Sequence, residues 1–203
     1  KRYILDKYKD VKLIFCGDVG FQAPPFNKIG EQEAIEMNCE GFKKVIHHKK
    51  NYRFKCDKLI SLIDKMRLMI DYGRPVWEIN TLVRDTLIDN TITRDELKEM
   101  YKIDDMILSR SHSIKNDYTD LFNDMNKWYV IENTRKYKNG QIIIGDKPLE
   151  VKSVLQHAYT IHSIQGETAR NKLFIDITKM YDGRILYTAI SRAIKLDQIF
   201  LVK

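Results

Sequence analysis

Two short segments in the last third of the sequence carry residue types that bind phosphate groups. They are residues 158–168 (AYTIHSIQGET) and residues 187–193 (YTAISRA). The first segment sets hydroxyl, imidazole and amide side chains around Gly166. A glycine lets the backbone approach a ligand closely, and these side chains donate hydrogen bonds without fixed charge. The second segment holds Arg192, whose planar guanidinium can bind a phosphoryl group through two parallel hydrogen bonds. Together the segments predict a site for a nucleotide or a phosphate strand.

Each of these residues also has a simpler interpretation. An isolated His162 is most often a partly buried histidine without a ligand. Arg192 could cap the C terminus of a helix, which contributes about 0.3 to 1 kcal/mol, whereas an arginine that acts on phosphoryl transfer changes the rate by about 10³ to 10⁵. The clustering of Thr160, His162, Gln165 and Gly166 within one passage from strand to loop favours the functional interpretation.

Two upstream segments are less distinctive. In residues 17–25 (GDVGFQAPP), Gln22 lies on a proline-stiffened loop after a predicted strand at 11–16. Ligands of open α/β sheets bind at that end of a strand. Arg53 closes the segment Asn51-Tyr52-Arg53, which follows two lysines and by itself indicates a solvated basic surface. Only the two downstream segments make a functional role for Gln22 and Arg53 the better interpretation.

Composition limits the class of protein and the partners it binds. With 203 residues, of which 43% are hydrophobic, the chain can bury a sizeable core. The net charge of +7 favours a polyanionic partner such as nucleic acid. Three cysteines without regular spacing argue against a disulfide framework or a metal site, and they predict a reducing intracellular compartment. No apolar run approaches the roughly 20 residues of a membrane span, so we expect no membrane partner.

Apolar periodicity predicts the helices and strands that position these segments. The alternation of strands with helices predicts an α/β fold with a parallel sheet that is covered by helices on both faces. An Asn139-Gly140 pair predicts a hairpin between the first two strands of a small β insertion. Three predicted helices cover residues 57–72, 113–125 and 185–193. Two further helices are predicted, one that begins at Pro75 and one that is capped by Thr93. The predicted strands from residue 42 onward cover 42–48, 105–109, 128–132, 141–144, 151–155, 157–161, 173–177 and 199–202.

Taken in order, residues 17–25, 51–53, 158–168 and 187–193 resemble motifs III, IV, V and VI of superfamily 1 DNA helicases. The resemblance is greatest to the RecD-like group that includes the petite-integration-frequency helicases, and it spans nearly the whole chain. It implies a RecA-like parallel sheet with a small β-hairpin or reduced barrel insertion at about 127–156. It also implies that residues 1–25 are the C-terminal tail of a first RecA-like domain and that residues 26–203 form the second.

In that family, two RecA-like domains close on ATP and Mg²⁺ and move single-stranded DNA, usually 5′ to 3′. For the nucleotide side, the resemblance implies that Arg53 and Arg192 contact the γ-phosphate. It implies that Gln22 is the sensor that links this phosphate to the DNA, and that Gly166 and Thr168 lie beside the nucleotide.

For the DNA side, the resemblance implies that Thr160 and His162 contact the backbone of single-stranded or fork DNA. Gln165 would couple the DNA site to the nucleotide site. In relatives, the insertion helps to grip or split DNA. The candidate phosphate contacts on the insertion here are Lys136, Lys138 and Lys147.

The sequence departs from the family pattern in two ways. Three residues separate Asp18 from Gln22 where the family usually has two. The sequence also contains neither a Gly-x-x-x-x-Gly-Lys-Ser/Thr phosphate loop nor an acidic magnesium-binding motif, both of which precede motif III in the family. We therefore expect the chain to be a fragment whose partner is an N-terminal helicase domain that holds most of the ATP and Mg²⁺ contacts. Two alternatives remain: a non-catalytic nucleic-acid-binding module derived from a helicase, and an RNA helicase of the same superfamily.

Overall fold

The computed structural model describes residues 53–164, 166–178 and 180–203. The predicted strands at 11–16 and 42–48 and the predicted tail at 1–25 lie outside these residues. Gln22 and Gln165 lie outside them as well. The helices are α1 (Asp57–Asp71), α2 (Val76–Thr86), α3 (Arg94–Met100), α4 (His112–Leu121) and α5 (Gly183–Ile190). The strands are β1 (Thr91–Ile92), β2 (Met106–Ser109), β3 (Lys127–Val130), β4 (Ile142–Ile144), β5 (Ser153–Leu155), β6 (Ala158–Thr160), β7 (Leu173–Asp176) and β8 (Ile199–Val202).

Five of the strands form a parallel sheet in the order β1-β8-β7-β2-β6. Successive residues of a strand point to opposite faces, so each strand supplies both sides of the sheet. Leu108, Ile175 and Leu201 pack with α1, α2 and α5 on one face. Their neighbours Ile107 and Phe174 pack with α3 and α4 on the other. This confirms the predicted parallel sheet with helices on both faces.

Local sequence signals account for several helix boundaries. Thr93 and Glu96 form the predicted capping box at the start of α3, in which the Glu96 amide donates to Thr93 Oγ1 (3.2 Å) and the Thr93 amide donates to Glu96 Oε2 (2.7 Å). Helix α5 begins earlier than predicted because the carboxylate of Asp182 accepts the Arg184 amide (2.8 Å). Gly183 at its start permits close packing, since a Cβ there would come within 2.5 Å of Cδ1 of Ile79 on α2.

The other three strands form a separate antiparallel sheet in the order β4-β3-β5. The predicted small β unit is therefore present as three strands. The predicted hairpin through Asn139-Gly140 is confirmed, because β3 and β4 are antiparallel and the Gln141 amide donates to the Lys138 carbonyl (3.0 Å) around these two residues. The connection is longer than predicted and makes a further turn earlier, where the Thr134 amide donates to the Tyr137 carbonyl (2.8 Å). Gly140, with φ of +90°, returns the chain to β4, and its amide donates to the Val130 carbonyl (2.9 Å).

A buried chain of hydrogen bonds joins this small sheet to the central one. Lys127, the first residue of β3, is 3% exposed, and its Nζ donates to the Asp105 carbonyl (3.0 Å) and to Tyr101 Oη (3.3 Å). His157, just after β5, lies against the same hydroxyl through Nδ1 (3.2 Å), while its Nε2 contacts the Met125 carbonyl (2.8 Å). A carbonyl can only accept, so Nε2 carries the proton and Nδ1 accepts from Tyr101. Both ends of the small sheet thus meet at Tyr101.

Burial disfavours positive charge in this network. It lowers the pKa of Lys127 to about 8, although Asp104 and Asp105 act in the opposite direction. Burial also lowers the pKa of His157. The neutral imidazole fits the hydrogen-bond directions above, because a protonated ring could not accept from Tyr101.

The low pKa of Lys127 predicts that stability rises with pH above about 8. Between that value and the ordinary lysine pKa, the unfolded chain binds more protons than the folded chain, so proton loss favours folding. Between about pH 7.5 and pH 9.5, we expect the free energy of unfolding to rise by roughly 1 to 2 kcal/mol relative to Lys127→Met. Urea unfolding at both pH values checks this. The same pH dependence in both proteins would show that Lys127 titrates normally.

None of the helices within residues 53–164, 166–178 and 180–203 combines the length and the apolar character that a membrane crossing needs.

Candidate functional site

Thr160 and His162, the predicted DNA contacts, lie where β6 ends. Thr160 is buried as the last residue of β6 and lies opposite Ser109 of β2. A short 3-10 turn, Ile161–Ile164, follows directly and carries the half-buried His162. Ser163 Oγ donates to the Thr160 carbonyl (2.8 Å) and fixes the start of this turn. The two residues therefore occupy the carboxyl-terminal edge of the parallel sheet.

The segment after this turn carries Gly166 and Thr168 toward the opposite edge of the sheet, where β7 begins. Gly166 is exposed and has φ of +97°, a backbone conformation that favours glycine. The Glu167 amide donates to the Ile164 carbonyl (3.1 Å), and the Ala169 amide donates to the Arg192 carbonyl (2.8 Å). Thr168 is half-buried between these two contacts. This segment therefore reaches from the predicted DNA contacts to the predicted γ-phosphate arginine.

Arg192 lies just beyond the C-terminal end of α5 and is 1% exposed. Its guanidinium donates to α5 and its C-terminal end and also to the segment that contains Glu167. Nε donates to the Thr188 carbonyl (3.0 Å), Nη1 to the Glu167 carbonyl (3.3 Å) and Nη2 to Ser191 Oγ (2.8 Å). In this arrangement the side chain joins α5 to the segment that contains Gly166 and Glu167.

Arg53, in contrast, is exposed and approaches the same place from the start of the described chain. Its Nη1 donates to the carbonyl oxygen of Ser191 (3.0 Å). Two residues later, the Lys55 amide donates to the Ile194 carbonyl (2.9 Å), which holds this strand-like segment against the end of α5. Arg53 and Arg192 thus bind the carbonyl and the hydroxyl of one residue, Ser191, although 138 positions separate Arg53 from it.

The predicted site residues therefore fall into two groups at opposite edges of the sheet. Arg53 and Arg192 meet at Ser191, near the amino ends of β7 and β8, with Gly166 and Thr168 in the adjoining segment. Thr160 and His162 lie at the carboxyl end of β6. The connection from β6 to β7 joins the two groups.

Gln198 is a positioning residue that the sequence did not reveal. Its Oε1 accepts the amides of Ile194 (3.0 Å) and Lys195 (2.9 Å), and its Nε2 donates to the carbonyls of Arg170 and Asn171 (both 3.0 Å). It thereby ties the loop after Arg192 to the loop after Thr168. These loops border an open cavity of about 570 Å³. Its basic lining residues are Lys55, Lys102, Arg170, Lys172 and Lys195.

The lysines predicted to bind phosphate on the small sheet differ in their surroundings. Lys136 Nζ forms an exposed ion pair with Glu150 (3.0 Å). Lys147 Nζ lies 5.3 Å from the ring centre of Trp128. Lys138 is exposed. Glu150 therefore partly offsets the charge of Lys136, whereas the ammonium group of Lys147 lies over the aromatic ring of Trp128.

Comparison with known proteins gives a result at the level of the fold. No protein-family model and no curated protein sequence matches the chain. A structure of Pif1 helicase from Candida albicans matches with a TM-score of 0.59 and 13% identity, over 90% of this chain and 62% of that one. A structure of two coordinating Pif1 helicases, described for DNA unwinding at forked double-stranded DNA, matches with a TM-score of 0.56 and 14% identity, over 89% of this chain and 58% of that one.

The chain thus spans 62% and 58% of these two helicase chains. At such low identity the likeness is one of fold. It confirms the RecA-like α/β architecture that the four motifs imply. The chain has the fold of these Pif1 helicase structures.

Proposed function

We propose that this chain is the C-terminal motor domain of an ATP-dependent DNA helicase. In this proposal it supplies the γ-phosphate arginines and part of the track for single-stranded DNA. A preceding RecA-like domain in the complete protein carries the phosphate loop and the magnesium-binding carboxylate. Movement 5′ to 3′ is the direction that the family resemblance implies. Both structural neighbours are described as helicases, and one is described at a DNA fork.

The observation that carries this proposal is the meeting of Arg53 and Arg192 at Ser191. Two guanidinium groups that are brought to one residue repel each other, and an anion between or beside them relieves the repulsion. Guanidinium groups also match the geometry of phosphate oxygens. The two arginines belong to motif-like segments far apart in sequence, so their convergence is not a consequence of local helix geometry.

The contacts suggest how the two edges of the sheet would work together. ATP, when bound, supplies the phosphoryl group whose transfer to water releases free energy. Arg53 is exposed and suited to bind a phosphate oxygen directly. Arg192 holds the Glu167 carbonyl, so a shift of its guanidinium toward the phosphate would pull on that segment. The same segment continues back to His162, which gives a continuous chain path between the nucleotide side and the DNA side.

A second candidate, a non-catalytic nucleic-acid-binding module, is favoured by one observation. Arg192 is 1% exposed, and each of its guanidinium nitrogens has an acceptor within the domain. An arginine in that state contributes to stability without contacting a ligand. The two candidates differ in their need for ATP turnover.

ATP hydrolysis by the complete protein separates the candidates. We expect hydrolysis to rise on addition of single-stranded oligothymidylate, and to rise less with an RNA oligomer of the same length and base composition. A forked duplex with a 5′ tail should be unwound only when ATP is present. Binding to the same oligomers without any stimulated hydrolysis would reject the motor function and support the non-catalytic module. Preferential stimulation and unwinding with RNA would support an RNA helicase.

A further inference from the structure

Tyr181 is an exposed aromatic residue in the connection between β7 and α5. Its side chain is 66% exposed, while the residue before it, Met180, is buried in the core. A tyrosine combines a large apolar ring, on which a flat ligand can stack, with a hydroxyl that remains in water. Tyr181 was not among the residues that the motifs identified.

The position of Tyr181 is fixed from both sides. Before it, Asn80 Nδ2 donates to the Met180 carbonyl (3.2 Å), which anchors the loop to α2. After it, Asp182 caps α5 by accepting the Arg184 amide (2.8 Å). A ring that is held outward by a buried neighbour and a helix cap loses little conformational freedom when a ligand stacks on it.

Arg110 lies beside this ring. Its Cζ is 4.9 Å from the centre of the Tyr181 ring, a distance at which a guanidinium and an aromatic ring attract each other. Arg110 directly follows Ser109, the last residue of β2. A cation and an exposed ring are thus paired at the carboxyl-terminal edge of the sheet.

This pair lies on the same edge as the proposed DNA contacts. Strands β7, β2 and β6 are neighbours, with Leu108 opposite Ile175 and Ser109 opposite Thr160. Adjacent strands are about 4.8 Å apart, so their carboxyl ends form a continuous row. The loops that leave this row carry Tyr181, Arg110 and His162 in that order across the sheet. An aromatic ring, a guanidinium and an imidazole in a row are the groups with which proteins stack bases and bind phosphates of single strands.

We propose that Tyr181 and Arg110 extend the single-strand track, with Tyr181 as a platform for one base and Arg110 as a contact to an adjacent phosphate. The proposal rests on the proposed helicase function only for the identity of the ligand, a single-stranded nucleic acid. The ring and the guanidinium fit a ligand that presents a flat face next to a negative charge.

Binding of labelled oligothymidylate to the complete protein tests the proposal, measured by fluorescence anisotropy without ATP at several salt concentrations. We expect Tyr181→Leu to weaken binding about 5- to 150-fold, since loss of one stacked base has this effect. Tyr181→Phe keeps the ring and should bind within about twofold of the wild type. Arg110→Ala should lower the salt slope by about 0.7, while Arg110→Lys should keep it.

Two variants control for effects unrelated to this edge. Ile88→Ala removes a side chain of similar exposure, 68%, just before β1 and hence near the amino-terminal edge. Arg84→Ala removes an exposed cation from α2. Both should bind like the wild type. As an independent readout, an oligomer with one 5-iodouracil should crosslink to Tyr181 under light, with the adduct located by mass spectrometry.

The outcomes separate this proposal from the proposed function. If the wild type binds and Tyr181→Leu binds equally well with no adduct at Tyr181, the extended track is refuted while the helicase function stands. If Tyr181→Phe is as weak as Tyr181→Leu, the hydroxyl matters and stacking is refuted. If the wild type itself does not bind single strands, the proposed function fails, and this proposal fails with it.

Discussion

Replacing Arg53 by alanine is expected to lower DNA-stimulated ATP turnover of the complete protein about 10³- to 10⁵-fold, the effect of losing an arginine that stabilises a transferring phosphoryl group. The side chain is exposed and bonds to the Ser191 carbonyl at 3.0 Å, so its removal leaves the core intact. We therefore expect the melting temperature to change by less than about 4 °C. Steady-state hydrolysis with saturating oligothymidylate, together with a thermal melt, measures both quantities.

Arg84→Ala is the matched control for this experiment, because it removes an exposed arginine from the surface of α2. Its turnover should equal that of the wild type. Arg53→Lys adds a second test, since a lysine keeps the charge and loses the bidentate geometry. Normal turnover in Arg53→Ala would show that Arg53 has no role in catalysis, whatever the result for the other variants.

Arg192→Ala is expected to lose both turnover and stability, and this combination distinguishes it from Arg53→Ala. The side chain fills a buried site and donates to two carbonyls and a hydroxyl. The Thr188 carbonyl and Ser191 Oγ keep their bond to each other (2.8 Å), so not every partner of Arg192 is left unsatisfied. A buried group left without its partner costs about 1 to 3 kcal/mol, and we expect a loss in that range. For a chain of this size, that corresponds to a fall in melting temperature of roughly 2 to 12 °C.

Because instability alone could reduce turnover, the test of Arg192 uses a second variant and a defined temperature. Arg192→Lys retains a cation but cannot bind all three acceptors, so we expect intermediate stability and turnover as low as in Arg192→Ala. Hydrolysis should be measured at a temperature at which circular dichroism shows each variant folded. Full turnover in folded Arg192→Lys or Arg192→Ala would show that Arg192 only joins α5 to the Glu167 segment, as the non-catalytic candidate requires.

Features encoded by near neighbours in the sequence were predictable. The Thr93 capping box is a contact between residues three positions apart, and the strand Ile199–Val202 is an apolar run with the predicted bounds. The start of α5 was missed by two residues because the Asp182 cap competes with apolar periodicity in setting a boundary. The turn at Asn139-Gly140 was predictable, whereas the length of the connection was not, because β3 already ends at Val130.

Features that depend on distant contacts were not predictable from composition or spacing. The burial of Lys127 contradicts the usual preference of lysine for water, and it requires Tyr101 and Asp105 from other elements. Gln198 bridges residues 27 and 28 positions away, and no local pattern marks a glutamine for that role. The motifs identified Arg53 and Arg192 as a pair, whereas the burial of one and the exposure of the other follow from how α5 packs.

The small antiparallel sheet is joined to the larger one by several buried contacts, among them the Lys127 bond to the Asp105 carbonyl and the packing of Tyr129 on Tyr159. Lys127 at its entrance and His157 just after its last strand both bond to Tyr101. The ring of Tyr101 is itself packed 4.3 Å from Phe122 in the second hydrophobic core. Because these contacts are buried and lie at separate points, a rotation of the small sheet would break several of them at once. We therefore expect the two sheets to move as one body.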